Sequence, residues 1–270
     1  MDVRGKIAIV TGGGNGIGRG ISTALASNGA SVVVCERSVS AAQETVADIE
    51  GMGGRAIALS VDITNSESVK MLIHAVMEEH HGIDILVNNA GIIAAPGWQE
   101  RTHDTESDSL EIIETNMHGT ERMVNAVVPH MKGQEKGGIV NISSIAGLKA
   151  NRGHVPVAYS ASKAAIAHMT KVWALMYAPH NITVNAVCPG LVWTPMWERI
   201  GSHHIYCEEP SNADVSKEPR DIFNRHVTER IPLGKSQTPE EIGNIVSFLV
   251  SDLASCITGV VLPADGGAHL

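Results

Sequence analysis

Residues 7–18 read Ile7-Ala8-Ile9-Val10-Thr11-Gly12-Gly13-Gly14-Asn15-Gly16-Ile17-Gly18, an apolar run followed by a glycine-rich turn and the start of a helix. Glycines allow the backbone to turn tightly and to approach a pyrophosphate closely, and the first helical turn offers N–H groups to it. A glycine cluster can also form a purely structural turn, but this one lies between the first predicted strand and the first predicted helix. The stretch therefore predicts a dinucleotide site that includes Gly12, Asn15, Gly16, Ile17 and Gly18.

The alternation of strand and helix continues along the chain. Short apolar runs predict strands at residues 7–10, 32–35, 56–61, 83–87, 138–142, 182–187 and 259–262. Longer amphipathic runs predict helices at 17–28, 41–50, 66–80, 109–131, 157–178 and 239–249. Such alternation indicates a parallel sheet covered on both faces. We expect a single α/β domain over residues 1–270, a Rossmann-type doubly wound parallel sheet of about seven strands with helices on both faces.

The composition argues against several classes of partner. The 270 residues carry a formal charge of −9 without a basic stretch, which argues against nucleic acid and against anionic membrane surfaces. The four cysteines are scattered with no CxxC pair, so reduced thiols in the cytoplasm are the simplest interpretation. We see neither the apolar segment of a signal peptide nor a run long enough to span a bilayer. A cytoplasmic protein is therefore expected.

The end of the second predicted strand bears on the choice of cofactor. Glu36 lies eighteen residues beyond Gly18, where an acid accepts hydrogen bonds from the adenosine ribose hydroxyls. The same carboxylate would repel a 2′-phosphate, although the neighbouring Arg37 is a residue that a 2′-phosphate would favour. We weigh the facing acid above the adjacent base and expect NAD rather than NADP.

Tyr159 and Lys163 are four residues apart in a stretch that predicts a helix, so their side chains share one face. A lysine cation about 5 Å from the phenol, at an effective dielectric near 20, favours the phenolate by roughly 3 kcal/mol. That corresponds to a lowering of the tyrosine pKa by roughly two units, which suits a general base. An ordinary solvated helix face is the alternative interpretation of the pair alone.

Four motifs together resemble the short-chain dehydrogenase/reductase family. They are Thr11-Gly12-xxx-Gly16-x-Gly18, Asn88-Asn89-Ala90-Gly91, Asn116 and Tyr159-xxx-Lys163, which occur in the order of the family over nearly the whole chain. The resemblance implies an NAD(P)-dependent enzyme that acts on CH–OH groups. Residues 192–198 and 256–259 are similar to members that act as 17-beta-hydroxysteroid or L-fucose dehydrogenases.

The resemblance also implies roles for individual residues. Tyr159 would take the substrate proton, Ser144 would hydrogen-bond the substrate oxygen, and Lys163 would also hold the nicotinamide ribose. The neighbouring Ser143 is the alternative to Ser144 as the serine that faces inward. Asn116 would disturb its helix and hold a water that relays protons to Lys163. The remaining cofactor contacts would come from Asp62, Ile63, Asn89, Ala90, Gly91, Pro189, Gly190, Val192 and Thr194.

Two long segments interrupt the strand–helix alternation. Residues 94–108 are polar and loop-like, and an insertion at about 190–232 is rich in Trp, His, Glu and Pro. Long loops in a compact domain usually serve binding, so the insertion is expected to form a substrate lid. Trp193, Met196 and Trp197 would give it an apolar face for a bulky alcohol, with Ile205 and Tyr206 beside them. The alternative is that these side chains pack within the lid or against a neighbouring subunit.

Three nearby residues of the insertion invite a metal interpretation. His203, His204 and Cys207 lie close in sequence, but zinc requires ligands in a fixed geometry and no second cluster with ligand spacing occurs. We therefore expect no metal. The histidines are expected at the solvated surface, although His203 or His204 could contact substrate.

These observations predict an NAD-dependent oxidoreductase that oxidises a secondary alcohol, with a steroid, sugar or polyol hydroxyl as candidate substrates. An NADPH-dependent carbonyl or 3-ketoacyl reductase would use the same residues in the opposite direction. A non-enzymatic nucleotide-binding regulator is the remote alternative, and it would be expected to have lost Ser144, Tyr159 or Lys163. By resemblance, a homotetramer would form through the helices at about 109–131 and 157–178.

Overall fold

A computed structural model describes residues 1–150, 155–207 and 218–270. It has one parallel sheet, and the glycine turn and the predicted site residues are arranged around it. The strands are β1 (Ile7–Thr11), β2 (Ser31–Glu36), β3 (Arg55–Ser60), β4 (Ile85–Asn88), β5 (Gly137–Ile142), β6 (Ile182–Pro189) and β7 (Val261–Ala264). In the described part of the chain these seven strands pair in parallel in the order β3-β2-β1-β4-β5-β6-β7. The strand order reverses between β1 and β4, which opens a crevice at their carboxyl ends.

Helices cover both faces of the sheet. They are α1 (Gly16–Ser27), α2 (Val39–Gly51), α3 (Ser66–His80), α4 (Glu106–Ile112), α5 (Thr120–Gln134), α6 (Val157–Tyr177), α7 (Pro195–Cys207), α8 (Pro219–Arg230) and α9 (Pro239–Leu249). The predicted single-domain Rossmann-type fold is confirmed. Among the described residues, no helix combines the length and the apolarity needed to cross a membrane.

The core consists of two apolar layers, one on each side of the sheet. Along β1, Ile9 joins a cluster with α3, α5 and α6, whereas Ala8 and Val10 join a cluster with α1, α2 and α9. Successive strand residues point to opposite faces, so a strand covered on both sides must be apolar throughout. This double burial explains why continuous apolar runs predicted the strands correctly.

The long helix predicted at 109–131 is interrupted. It begins earlier, at Glu106, because Thr105 and Asp108 form a capping box, and a π-helical segment at Ile113–Gly119 separates α4 from α5. Thr120 Oγ1 donates to the carbonyl oxygen of Asn116 at 2.8 Å inside this segment. The disturbance of the helix that the resemblance placed at Asn116 is therefore present, and single-turn π-segments often mark functional sites.

Other predicted boundaries differ from the structure. The last strand occupies Val261–Ala264 instead of 259–262, since Gly259 has a φ of +76° and lies in the preceding turn. The insertion at 190–232, interpreted as a loop, contains α7 and α8, and residues 208–217 of it lie outside the described residues. Pro219 supplies a favourable first residue for α8. Residues 94–108 include a 3-10 turn at Trp98–Glu100 and the start of α4.

Candidate functional site

A cavity of about 970 Å³ opens at the carboxyl ends of the strands. Every residue predicted to bind the cofactor lines it, namely Gly12, Asn15, Gly16, Ile17, Gly18, Glu36, Arg37, Asp62, Ile63, Asn89, Ala90, Gly91, Tyr159, Lys163, Pro189, Gly190, Val192 and Thr194. Ser144, Met196 and Trp197 line the same cavity. Sequence positions from 12 to 197 thus meet around one space, as expected for a crevice at the switch point of an open sheet.

The glycine turn forms a compact cradle at one end of this cavity. Gly12 and Gly16 have φ values of +63° and +48°, which favour glycine, and a Cβ at Gly18 would lie 1.9 Å from the carbonyl oxygen of Gly12. Asn89 holds the cradle against β4, since its Nδ2 donates to the Gly12 oxygen at 2.9 Å. Asn15 occupies the N-cap position of α1 but makes no side-chain capping bond. The first N–H groups of α1 therefore suit a pyrophosphate, and these residues fit a dinucleotide.

Two acids stand at the other side of the cradle, where the adenosine would lie. Glu36 Oε1 accepts from the Gly14 N–H at 3.1 Å, and partial burial raises the pKa of this carboxyl. Asp62 Oδ1 accepts from Thr64 Oγ1 at 2.6 Å, which lowers the pKa of Asp62. Arg37 is exposed and lies close enough to Asp62 to lower that pKa further. Two carboxylates and one exposed arginine therefore line this end of the cavity.

Ser144, Tyr159 and Lys163 converge at the opposite end. Tyr159 is 8% exposed and hydrogen-bonds with the Ser144 side chain. Lys163 is 5% exposed, its Nζ donates to the Ile142 oxygen at 2.9 Å, and it lies 5.8 Å from the centroid of the Tyr159 ring. Ser143 turns away, since its Oγ donates to the main-chain oxygen of Lys163 at 2.7 Å. Of the two serines, the structure brings Ser144 to Tyr159.

Burial changes the acid–base balance that the sequence predicts. Removal from water raises the pKa of the Tyr159 phenol to about 12, and the hydrogen bond with Ser144 offsets this only in part. Removal from water also lowers the pKa of Lys163 to about 8. The expected lowering of the Tyr159 pKa is therefore wrong for the chain by itself. The Coulomb attraction between the two groups does not outweigh the cost of burying each of them.

Asn116 lies just behind the cavity wall. It is 1% exposed, its Oδ1 accepts from the Ile92 N–H at 2.8 Å, and its Nδ2 donates to Ser162 Oγ at 3.1 Å. A Cβ at Gly91 would lie 3.1 Å from this Oδ1 and 3.4 Å from Lys163 Nζ, so the two side chains are neighbours across that glycine. The Asn116 side chain thereby ties the end of β4 to α6, the helix that carries Tyr159.

The predicted substrate residues are only partly brought together. Met196 and Trp197 line the cavity, but within the described residues Trp193 does not. Trp193 packs edge-on against Phe223 with ring centroids 5.2 Å apart and lies under the guanidinium of Arg220 at 4.6 Å. Trp193 therefore packs on α8 in this structure, and its contact with substrate stays a prediction.

His203 and His204 in the lid have specific neighbours, whereas Tyr206 lies at the surface. The ring of His203 stacks on Trp98 at 3.8 Å, and His204 lies edge-on to His226 at 5.3 Å. Tyr206 is 54% exposed and does not line the cavity within the described residues. No group of three or more potential metal-ligating side chains occurs in the part of the chain that the structure describes.

Several cavity residues were missed by sequence reasoning. They lie on the two unrecognised helices and in the C-terminal segment, and include Arg199, His226, Glu229, Arg230 and Ala268. The helical spacing of Met196, Arg199 and Ile200 was the available signal for the first of them. This spacing has no meaning in a loop, and the insertion was interpreted as a loop, so Arg199 was not recognised.

Comparisons with known proteins agree with this geometry. A family model described as enoyl-(acyl carrier protein) reductase matches residues 12–269. The chain is 34% identical to the 3-oxoacyl-(acyl-carrier-protein) reductase FabG of Thermotoga maritima, covering 99% of both proteins. It is 33% identical to L-fucose dehydrogenase of Bos taurus, covering 98% of this chain and 90% of that protein. Solved NAD+-bound xylitol dehydrogenase superposes with a TM-score of 0.87 at 31% identity, covering 99% of this chain and 100% of the other.

Proposed function

This chain belongs to the short-chain dehydrogenase/reductase family and is an oxidoreductase acting on CH–OH or carbonyl groups, and from that premise we propose that it oxidises a secondary alcohol with NAD. A steroid, sugar or polyol hydroxyl is the proposed substrate. The observation that carries the proposal is one cavity with Ser144, Tyr159 and Lys163 at one end and Glu36 at the other. The similarity to L-fucose dehydrogenase and to xylitol dehydrogenase supports the sugar and polyol classes.

The proposed mechanism assigns proton transfer and orientation to the chain. The substrate hydroxyl binds between Ser144 and Tyr159, and Tyr159 accepts its proton as the general base. Protonated Lys163 supplies a positive charge beside the phenolate. Asn116 would hold a water that exchanges protons between Lys163 and solvent, so that the proton taken up by Tyr159 can leave the site. A bound nicotinamide would supply the hydride acceptor. The residues that line the cavity would hold it beside the carbinol carbon of the substrate.

We expect kcat/KM for alcohol oxidation to rise with pH. Tyr159 accepts a proton only as the phenolate, and since its pKa is raised to about 12, the phenolate fraction grows about tenfold per pH unit through the neutral range. Lys163 loses its proton through about 8, which removes the positive charge and flattens the rise above that value. A kcat/KM profile from neutral to alkaline pH checks this. A profile that falls with pH would contradict Tyr159 as the base.

We expect Glu36→Gln to improve NADPH binding by about 10- to 100-fold while NADH binding weakens. A charge about 6 Å from a phosphate at an effective dielectric near 20 contributes about 3 kcal/mol, which sets the upper end of this range. Fluorescence titration of both reduced cofactors measures the change. Glu44→Gln removes the same charge from an exposed site on α2 and serves as the matched control. Unchanged NADPH affinity in Glu36→Gln would remove the basis for the NAD preference.

The similarity to FabG favours a second candidate, an NADPH-dependent carbonyl or 3-ketoacyl reductase. It would use Tyr159 as the acid instead of the base. A panel of steroids, aldoses such as fucose, polyols such as xylitol and simple secondary alcohols separates the two candidates. The proposal predicts NADH formation from NAD+ with one class of alcohol. Silence with every alcohol, accompanied by ketone reduction with NADPH, would establish the second candidate instead.

We also propose that the protein is a cytoplasmic homotetramer that assembles through α5 and α6. Exposed apolar side chains on α6 support this, since Leu175 is 81% and Met176 56% exposed. Surfaces of this kind are typical of protein interfaces. Light scattering at micromolar concentration that showed only monomer would refute the assembly.

A further inference from the structure

Arg199 is a half-buried cation on the cavity wall that the proposed mechanism does not use. It lies on α7 with Met196 and Ile200, and positions i, i+3 and i+4 of a helix share one face, which here meets the cavity. Both neighbours pack in the apolar cluster that contains Tyr159. Arg199 therefore stands at the substrate end of the cavity, close to the residues that surround the proposed base.

Among the described residues, Arg199 bonds to main-chain oxygens and forms no ion pair. Its Nη2 donates to the carbonyl oxygens of Ala95 at 3.0 Å and Ala94 at 3.5 Å, which are neutral acceptors. The neighbouring acid, Asp108, is already paired with Arg101 at 2.7 Å and accepts from the Ala95 N–H at 3.0 Å. Within the described residues, no carboxylate lies at salt-bridge distance from Arg199. Asp108 is thus the direct partner of Arg101 and acts on Arg199 only at longer range, so the Arg199 guanidinium has no paired carboxylate among the described residues.

The other cations that line the cavity differ from Arg199. Among the described residues, Arg37, Lys149 and Arg230 are exposed, and Lys163 is buried but has a role in the proposed mechanism. Removal from water lowers the pKa of Arg199, which shows the cost of holding this charge away from solvent, and Asp108 offsets it in part. Such a group attracts an anion more strongly than an exposed one, because the surrounding dielectric is lower.

We propose that Arg199 binds a carboxylate of the substrate, so that the alcohol oxidised at Tyr159 is a hydroxy acid. The inference rests on the proposed function, oxidation of a secondary alcohol with NAD, and replaces its neutral candidate substrates with alcohols that carry a carboxylate. The hydroxyl would lie between Ser144 and Tyr159 while the carboxylate meets Arg199 across the cavity. A guanidinium presents parallel N–H donors that match the two oxygens of a carboxylate, and a neutral ester lacks the charge.

A matched pair of substrates tests this inference. We compare 3-hydroxybutanoate with its methyl ester, using NAD+ and the full-length enzyme. The wild type should prefer the acid, and Arg199→Gln should lower kcat/KM for the acid by about 10- to 100-fold, mainly through KM, with less than about a twofold change for the ester. Arg55→Gln removes the same charge from an exposed position on β3 and should change neither value.

Each other outcome overturns the inference in a distinct way. Equal losses for acid and ester in Arg199→Gln would show that Arg199 only supports the backbone at Ala94 and Ala95. Equal use of both substrates by the wild type would show that no carboxylate is recognised. Oxidation of neutral alcohols without oxidation of the acid would end the inference and leave the proposed function intact. Failure with every alcohol would end both.

Discussion

Tyr159→Phe lowers kcat for alcohol oxidation by about 10²- to 10⁴-fold, the range that a positioned general base contributes. The substitution removes the phenol oxygen and keeps the ring, which belongs to the apolar cluster that also contains Ile93, Ala94 and Ile200. The hydroxyl hydrogen-bonds with Ser144, and the glycine cradle lies at the other end of the cavity. Cofactor affinity and thermal stability should therefore stay close to the wild-type values while turnover is lost.

The same helix offers a matched control. Tyr177 is a second buried tyrosine on α6, 5% exposed, with the Lys132 ammonium 5.3 Å from its ring centroid and no part in the cavity within the described residues. Tyr177→Phe should keep full turnover. Steady-state kinetics and NADH fluorescence titration on both variants separate loss of the base from a general effect of losing a tyrosine hydroxyl. Near-normal turnover in Tyr159→Phe would show that another group takes the proton.

Gly18→Ala abolishes measurable cofactor binding and destabilises the fold by about 1–3 kcal/mol or more, as overpacking of a filled site does. A Cβ at this position would lie 1.9 Å from the Gly12 oxygen and 2.5 Å from Asn89 Nδ2. Those atoms hold the turn against β4, so they cannot move without opening the cradle for the pyrophosphate. The effect on binding follows from the shape of the turn and not from a lost contact, since glycine has no side chain to lose.

Gly51→Ala is the matched control for this substitution. Gly51 ends α2, and a Cβ there would meet no atom of the described residues within 4 Å outside its own helical turn. Thermal unfolding and NADH titration of the two alanine variants should therefore differ sharply. An active Gly18→Ala enzyme with wild-type cofactor affinity would refute the placement of the pyrophosphate at this turn.

The sheet was predictable from sequence because the central strands are buried on both faces and the edge strands β3 and β7 are still largely apolar. Short apolar runs such as Val32-Val33-Val34 are typical of buried parallel strands. The strands of the described residues lie within a few residues of the positions that these runs predict. The lid was harder to predict. Helix α7 packs mainly against α8 and the 3-10 turn at Trp98–Glu100. Its apolar periodicity is diluted by Arg199, which bonds to the main chain of Ala94 and Ala95, and by His203, which stacks on Trp98.

The arrangement of the site could be predicted from sequence only where short local motifs determine it. The glycine turn and the Tyr159–Lys163 pair are local patterns, and the sheet topology brings them to one crevice. Burial is not a local property. The raised pKa of Tyr159, the turn of Ser143 away from the phenol and the packing of Trp193 on Phe223 all depend on residues distant in sequence. Arg199 could be recognised only after α7 placed it at the cavity wall.

The most direct test of NAD-dependent alcohol oxidation follows a label from substrate to cofactor. Secondary alcohols of the panel that carry deuterium at the carbinol carbon are incubated with NAD+ and either the wild type or Tyr159→Phe. We expect deuterium to appear in the NADH formed by the wild type, at a slower rate than NADH forms from the unlabelled alcohol, and we expect Tyr159→Phe to form almost none. NADH without label, or ketone reduction with NADPH as the only activity, would contradict it.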